Sequence, residues 1–446
     1  MKTSSLAMVL AASLAPAVSS AQHRERLCVA TETRRLISAP FLAANGSDRL
    51  VAAPFATPSA DGAAFVVAVR DPERTFRVGD RAALRRAITE LELHGAATPV
   101  DHVPGTVFAR VARDLDLIGE PVFVEDPVPS RREGETFPPG VPVGVTLGAG
   151  VLVVEHVAGD LYATMVPPDG PVPALRRVAQ APPAASTGTH GFVWLTATAR
   201  TVGGHAGAVV LAGTEDGEVM ALSFDASGER VGDPVLWQHR VGGTMQLLPL
   251  PPAADPAALL ERPVQGTTAR GDQAREQVLV RLTDTLEPSG DPVRLGLGPF
   301  PTAAAMQGSS LLLSQWVEGH GLAVSSLPLV HGRLQLATPR VWTTHGLDGA
   351  PLGHAMTTGG DGVFYDLATH GDTVAGGLHA YLVYFDGAGT PFPRRDVFPL
   401  RARVIAPPQL LPAEDGLVAV MANVDELGGG VDAVHLRCDL VTLPTR

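Results

Sequence analysis

Short apolar runs, broken at regular intervals by glycine and proline, dominate the chain. Glu218-Val219-Met220-Ala221-Leu222-Ser223-Phe224, Gln277 to Leu282, Leu311 to Trp316 and Ala380 to Phe385 either alternate or stay apolar over their length. Half-buried and fully buried strands have this character. Asp-Gly pairs recur between such runs, at Asp61-Gly62, Asp169-Gly170, Asp216-Gly217, Asp348-Gly349, Asp361-Gly362, Asp386-Gly387 and Asp415-Gly416. They tolerate the positive φ of tight hairpins. One stretch departs from the pattern. Between Asp80 and Gly95, Leu84, Ile88 and Leu91 share one helical face, Asp80 can cap the start and Gly95 can end it. A short inserted helix is expected near 80–93.

The turns repeat. DLDLIGEPV (114–122), DASGERVGDPV (225–235) and DTLEPSGDPV (284–293) each carry an Asp, a turn, then Gly-(Asp/Glu)-Pro-Val. A fainter copy is Asp169-Gly170-Pro171-Val172. The glycines Gly119, Gly170, Gly232 and Gly290 lie about 57 residues apart on average, a period of repeat architectures. About four short strands per period read as an all-β propeller, whose blades each leave an apolar face uncovered and must stack into a ring. Outer-strand signals near residues 36, 122, 172, 235, 293, 341 and 397 predict seven blades. Two β-sandwich domains are the alternative, but they give the period no reason.

After Val397 the sequence supplies three more strands and then stops, so the last blade lacks an outer strand. The N-terminal strand from about Leu27 to Ser38 can fill the gap and close the ring. The chain's two cysteines, Cys28 and Cys438, then fall on adjacent strands. In an oxidising compartment such a pair forms a disulfide, and without C-x-x-C spacing it suits no metal site.

Phe224-Asp225-Ala226-Ser227-Gly228-Glu229-Arg230-Val231-Gly232 resembles the F-D-x-x-G-x-x-V-G hairpins of repetitive secreted bacterial β-propeller proteins. With Trp237 it is also similar to one blade of the pyrroloquinoline-quinone-type propellers. The resemblance implies the architecture and transfers no catalytic residue.

Residues 1–21 (MKTSSLAMVLAASLAPAVSSA) combine Lys2, an apolar stretch from Leu6 to Val18 and small residues before Gln22. A cleavable signal peptide has these parts, which leaves a mature propeller domain over 22–446 in the periplasm or outside the cell. No later stretch is apolar for the ~18–20 residues of a membrane span. Lys2 is the only lysine, so the mature chain has no Schiff-base or phosphate-loop lysine. A formal charge of −12, with no Lys/Arg run longer than two, disfavours nucleic-acid and anionic-lipid partners.

No strong catalytic motif is present, and no cofactor-binding residue is assigned. Histidines stand at His94, His190, His205, His320, His331, His345, His354, His370 and His379, many before glycine. Loops of a propeller converge on one face, where histidines from several blades could form a metal or acid–base cluster. Asp361, Asp366 and Asp372, and Asp425, Glu426 and Asp432 around Gly428-Gly429-Gly430, flank turns that could offer oxygens to Ca²⁺. The expected function is a secreted binding or scaffold module for a protein or small-molecule ligand. A hydrolase, lyase or oxidoreductase with a histidine site at the channel mouth is the second reading, and a cell-surface structural repeat protein the third. The residues lining the channel discriminate between them.

Overall fold

The computed structural model describes residues 24–40, 54–59, 62, 64–71, 105–127, 141–182, 191–267, 273–298, 302–317, 321–335, 353–359, 363–369, 379–386, 389–400, 403–404, 406–425 and 428–442. Every regular element among them is a strand. The segments 1–21 and 80–93, expected as a signal peptide and a helix, lie outside the described residues.

The chain opens with β1 (Arg24–Pro40), which pairs only at the far end of the sequence. Seven antiparallel sheets follow. The first holds β2 (Phe55–Pro58), β3 (Ala64–Asp71), β4 (Gly105–Ala112) and β5 (Val122–Glu125). The second holds β6 (Val143–Leu147), β7 (Gly150–Val157), β8 (Asp160–Val166) and β9 (Arg176–Ala179). The third holds β10 (Phe192–Val202), β11 (His205–Thr214), β12 (Val219–Asp225) and β13 (Arg230–Leu236). The fourth holds β14 (Thr244–Leu247), β15 (Ala257–Thr267), β16 (Gln273–Leu282) and β17 (Pro288–Gly298). The fifth holds β18 (Ala303–Gln307), β19 (Ser310–Val317), β20 (Gly321–Val330) and β21 (Arg333–Leu334). The sixth holds β22 (Gly353–Thr358), β23 (Phe364–Thr369), β24 (His379–Phe385) and β25 (Pro391–Pro399). In the seventh, β26 (Arg403–Val404) and β27 (Gln409–Ala413) both pair β28 (Gly416–Asp425), which pairs β29 (Gly428–Thr442), and β29 pairs β1. The first strands of successive sheets are neighbours around an axis: β2 beside β6, β6 beside β10, β10 beside β14, β18 beside β22, β22 beside β27, and β27 beside β2. The sheets are therefore blades of a closed seven-bladed ring, and the N-terminal strand is the outer strand of the last blade. The outer-strand signal near 341 lies outside the described residues, and the fifth blade's described outer strand ends at Leu334.

Each seam between blades has its own hydrophobic cluster, which explains the continuous apolar runs. In β3, Phe65, Val67 and Val69 face the seventh blade, while Val66 and Ala68 face the second. In β28, Val418 and Val420 pack toward the first blade, and Leu417, Ala419 and Met421 toward the sixth. A middle strand buried on both faces has no polar side to alternate with. Each fully buried aliphatic or aromatic side chain adds ~1.5–3 kcal/mol of burial free energy.

The repeated motif is a backbone device. In three hairpins joining the third and fourth strands of a blade, the turn closes through Leu115 N–H to Ala112 O, Gly228 N–H to Asp225 O, and Leu286 N–H to Thr283 O. The closing residues take positive φ of 65°, 78° and 63°, the left-handed position of a three-residue hairpin loop. Four residues on, Gly119, Gly232 and Gly290 are again left-handed, at 77°, 72° and 71°. There the outer strand bulges: the register jumps between Ala221 and Ser223 on β12, and between Leu279 and Arg281 on β16. A bulge leaves residues without a ladder bond, so the proline of Gly-Asp-Pro-Val, which has no N–H, sits where none is required.

The ring closes as its ends require. β1 and β29 pair from Arg24↔Thr442 to Pro40↔Gly428, with Cys28 opposite Cys438. The two cysteines are disulfide-bonded, their Cα atoms 4.0 Å apart.

Candidate functional site

The two faces of the ring differ. Connections joining first to second strands, and third to fourth, span nine residues or fewer, and several span two: Leu147 to Gly150, Val202 to His205, Gln307 to Ser310, Val330 to Arg333, Ala413 to Gly416. The longest connections, 41–54, 72–104, 126–142, 180–191 and 335–352, leave from the opposite face. Arginines stitch neighbouring blades on the short-turn face: Arg113 meets Glu414 at 2.8 Å, Arg200 meets Asp284 at 2.7 Å and Arg333 meets Asp255 at 2.8 Å. Buried ionisable groups gather instead toward the long-connection face, at Arg70, Asp126, Glu155, Glu261, Glu276, His354 and Asp396.

Most of these groups are seam fittings. Between the first and second blades, Arg70 donates to both oxygens of Asp126 and, at 3.2 Å, to Glu155 Oε2, to which the Thr106 hydroxyl also donates at 2.5 Å. Glu155 Oε1 has no hydrogen-bond partner among the described residues. Burial pushes the Glu155 carboxyl above its ordinary range despite the nearby Arg70. One guanidinium between two carboxylates leaves a surplus negative charge in a dry seam, and a proton on Glu155 removes it. Between the third and fourth blades Thr196 Oγ1 accepts from Leu247 N–H at 2.8 Å, and between the fourth and fifth Glu261 Oε1 accepts from Thr302 N–H at 2.9 Å. Asp396 accepts from Cys28 N–H at 2.7 Å and from the Tyr384 hydroxyl, which ties the sixth blade to the closing strand. Burial, with Asp396, pushes the Tyr384 hydroxyl up.

Between the fifth and sixth blades, Ser314, His354 and Asp366 meet. Their residue types are those of a hydrolytic triad, but the arrangement is not. Ser314 Oγ lies 3.2 Å from His354 Nδ1, and both Asp366 oxygens lie 3.1 Å from that same nitrogen. A triad places nucleophile and carboxylate on opposite ring nitrogens. Ser314 also donates directly to Asp366, and all three side chains are shut away from solvent. The cluster fastens a seam.

The histidines expected to converge do not, as far as they are described. His205 and His331 sit in exposed turns of the short-turn face, His354 is the buried seam residue, and His379 begins β24. His94, His190, His320, His345 and His370 lie outside the described residues, as do Asp361, Asp372 and Glu426. Asp366 belongs to the His354 cluster, and Asp432 accepts from Asn423 Nδ2 at 2.5 Å and from Arg35. No group of three or more His, Cys, Asp or Glu among the described residues could hold a metal ion. Nothing in the sequence marked Arg70, Asp126 and Glu155 as a unit, since blade adjacency alone joins them.

Among the described residues, the inner strands carry little charge; in the seventh blade the short β26 (Arg403–Val404) shares the inner edge of β28 with β27. The inner strands β2, β6, β10, β14, β18, β22 and β27 read FATP, VGVTL, FVWLTATARTV, TMQL, AAAMQ, GHAMTT and QLLPA. Their only ionisable members are Arg200, paired with Asp284, and the buried His354. Hydroxyls and amides carry the polarity: Thr244 and Gln246 are exposed, and Thr57, Thr146, Gln307, Thr357 and Gln409 are partly so. Thr57 Oγ1 and Thr146 Oγ1 stand 3.1 Å apart across the first seam. Each inner strand is the last strand of its sheet on the axial side, and part of that edge is used within the ring: Leu247 N–H donates to Thr196 Oγ1, and Pro58 O accepts from the Thr146 hydroxyl at 2.6 Å.

This architecture defines a disulfide-closed, seven-bladed β-propeller whose described inner strands are rich in hydroxyls and poor in charge. No protein-family model and no curated protein matches the chain. Among solved structures it is similar to the Aleuria aurantia lectin in complex with α-methyl-L-fucoside, at 10% identity and TM-score 0.39 over 66% of this chain and 93% of that one. It is similar to a protein of unknown function from Dyadobacter fermentans, at 12% identity and TM-score 0.41 over 91% and 99%. AofleA from Arthrobotrys oligospora matches at 10% identity and TM-score 0.40 over 84% and 90%. Likeness at this level does not transfer a ligand.

Proposed function

We propose that the protein is a secreted binding module that takes an uncharged, hydroxyl-rich ligand at its axial surface. The observation that carries this reading is the lining of the inner strands, where the exposed Thr244 and Gln246 and the partly exposed threonines offer hydrogen bonds without net charge. A charged ligand would lose its hydration there and gain no counter-charge. The leader-like residues 1–21 and the Cys28–Cys438 disulfide support an oxidising, extracytoplasmic home.

The test is binding of the mature chain to an array of neutral and acidic oligosaccharides at two salt concentrations. The reading expects retention of neutral glycans that salt does not weaken, and about tenfold weaker binding after Thr244→Val with Gln246→Leu, the loss of one or two hydrogen bonds. Binding confined to polyanions, or weakened by salt as ion pairing is, would overturn it.

A further inference from the structure

A cavity opens between the sixth and seventh blades. It has a volume of about 70 Å³. At ~10–15 Å³ of such space per water, it holds about five waters. Its mouth lies between two outer strands, with Ala30 and Thr33 of β1 on one side and Pro399 of β25 on the other. Those three residues are exposed, whereas Leu367, Ala380, Val404, Met421 and Leu436 deeper in the walls are buried. Water in such a space finds few partners, so an apolar guest displaces it favourably.

One wall is polar, and it is built. Asn423, only 4% exposed, accepts from Arg35 Nη2 at 3.0 Å and donates to Asp432, which also takes the Arg35 Nε–H. The guanidinium cancels the carboxylate, so the wall is neutral overall. An ionic guest would bring an unpaired charge into the seam. A hydroxyl can add one more hydrogen bond to Asp432 or to the Thr33 hydroxyl without disturbing the Arg35 pair.

We propose that this cavity binds a short neutral amphiphile, an aliphatic chain ending in a hydroxyl, with the chain among Leu367, Ala380 and Met421 and the hydroxyl at Thr33 and Asp432. The site is apart from the axial surface, and its occupancy does not depend on the ligand proposed there. It straddles the closing strand: Ala30 pairs with Leu436, two residues from the disulfide-bonded Cys28 and Cys438. An occupant that fits only the closed seam must hold β1 against the sixth blade.

The experiment titrates the mature, disulfide-bonded protein with 1-butanol through 1-octanol. Calorimetry reads affinity, and hydrogen exchange reads the amides of Arg24–Pro40. Affinity should rise about fourfold per methylene until the cavity is full, then stop rising, because each buried methylene contributes a fixed increment. Exchange in β1 should slow in a saturable way. Ala30→Leu, at the exposed mouth, should block entry with the melting temperature unchanged. Thr33→Val should weaken the alcohol severalfold and leave an alkane of equal length unaffected. An unsaturable response, a response equal in Ala30→Leu, or equal binding of the matched alkylammonium and carboxylate would overturn the proposal. None of these outcomes bears on the oligosaccharide reading, which the axial variants test.

Discussion

Removing the closure bond is the sharpest test of the ring. In Cys28→Ser with Cys438→Ser, the strands remain but the cross-link over 410 positions is gone. The chain-entropy relation for a loop of that length gives about 6 kcal/mol at 25 °C of lost constraint on the unfolded chain. Spread over an unfolding entropy of ~2.1 cal/mol/K per residue for a chain of this size, the loss lowers the melting temperature by about 7 °C. The folded state should hardly change, because Cys28 N–H still donates to Asp396 and the pairing from Arg24 to Pro40 is backbone-made. The assay is calorimetric melting of both proteins, with hydrogen exchange followed at β1 and β29. The expected result is a lower melting temperature and faster exchange confined to the seventh blade and its seams. A melting temperature within about 1 °C of the parent would refute the reasoning, since it would mean that the ends are not held together by this bond in the folded ring.

Two buried groups of the second blade give opposite pH dependences. Burial lowers His156 from 6.5 to about 4, so the folded state binds fewer protons there, and stability is lost as pH falls through that window. The loss amounts to about 3 kcal/mol once the ring is fully protonated. Glu155 is raised, so the folded state binds the extra proton, and stability is lost as pH rises above the ordinary carboxylate range. Urea denaturation across pH 4–8 checks both: His156→Phe should remove most of the rise in stability between pH 4 and 6.5, and Glu155→Gln should make the decline above the ordinary carboxylate range shallower, the part that stays belonging to Glu261, which burial also raises. Gly232→Ala should cost about 1–2 kcal/mol, the left-handed backbone penalty alone, because φ is 72° and nothing lies within 4 Å of the added carbon. Gly191→Ala should cost at least about 3 kcal/mol by the same denaturation assay, because its added carbon would stand 2.3 Å from Gly159 Cα.

The parts of this fold that local backbone geometry dictates were legible in the sequence. Gly119, Gly232 and Gly290 recur because a left-handed residue is needed at each outer-strand bulge, and Cys28 and Cys438 face each other because the last blade is short of a strand. Where leucine does glycine's work, at Leu115 and Leu286, the repeat was harder to see, since composition gives no hint that these residues take positive φ. The seams were not legible at all. Arg70 and Glu155, or Ser314 and Asp366, come together through stacking of separately hydrogen-bonded sheets, and no spacing along the chain encodes that. The candidate axial surface was foreseen as a place but not as a chemistry. The histidines that drew attention are turn and seam residues where they are described, while the threonines and glutamines of the inner strands carry no motif.

The pairing of β1 with β29 sets a timetable for biogenesis. Arg24–Pro40 is made first and can find its partner only when Gly428–Thr442 has been made. At ~5–20 residues per second, the interval is about 20–80 s. Throughout that time the earliest strand is an edge without its native partner, guarded from pairing with another copy of the nascent chain chiefly by its charges at Arg24, Glu25, Arg26, Glu32, Arg34 and Arg35, and six blades stand with two uncovered ends. Yield on overproduction should therefore depend on what shelters that edge during synthesis more than on the stability of the finished ring.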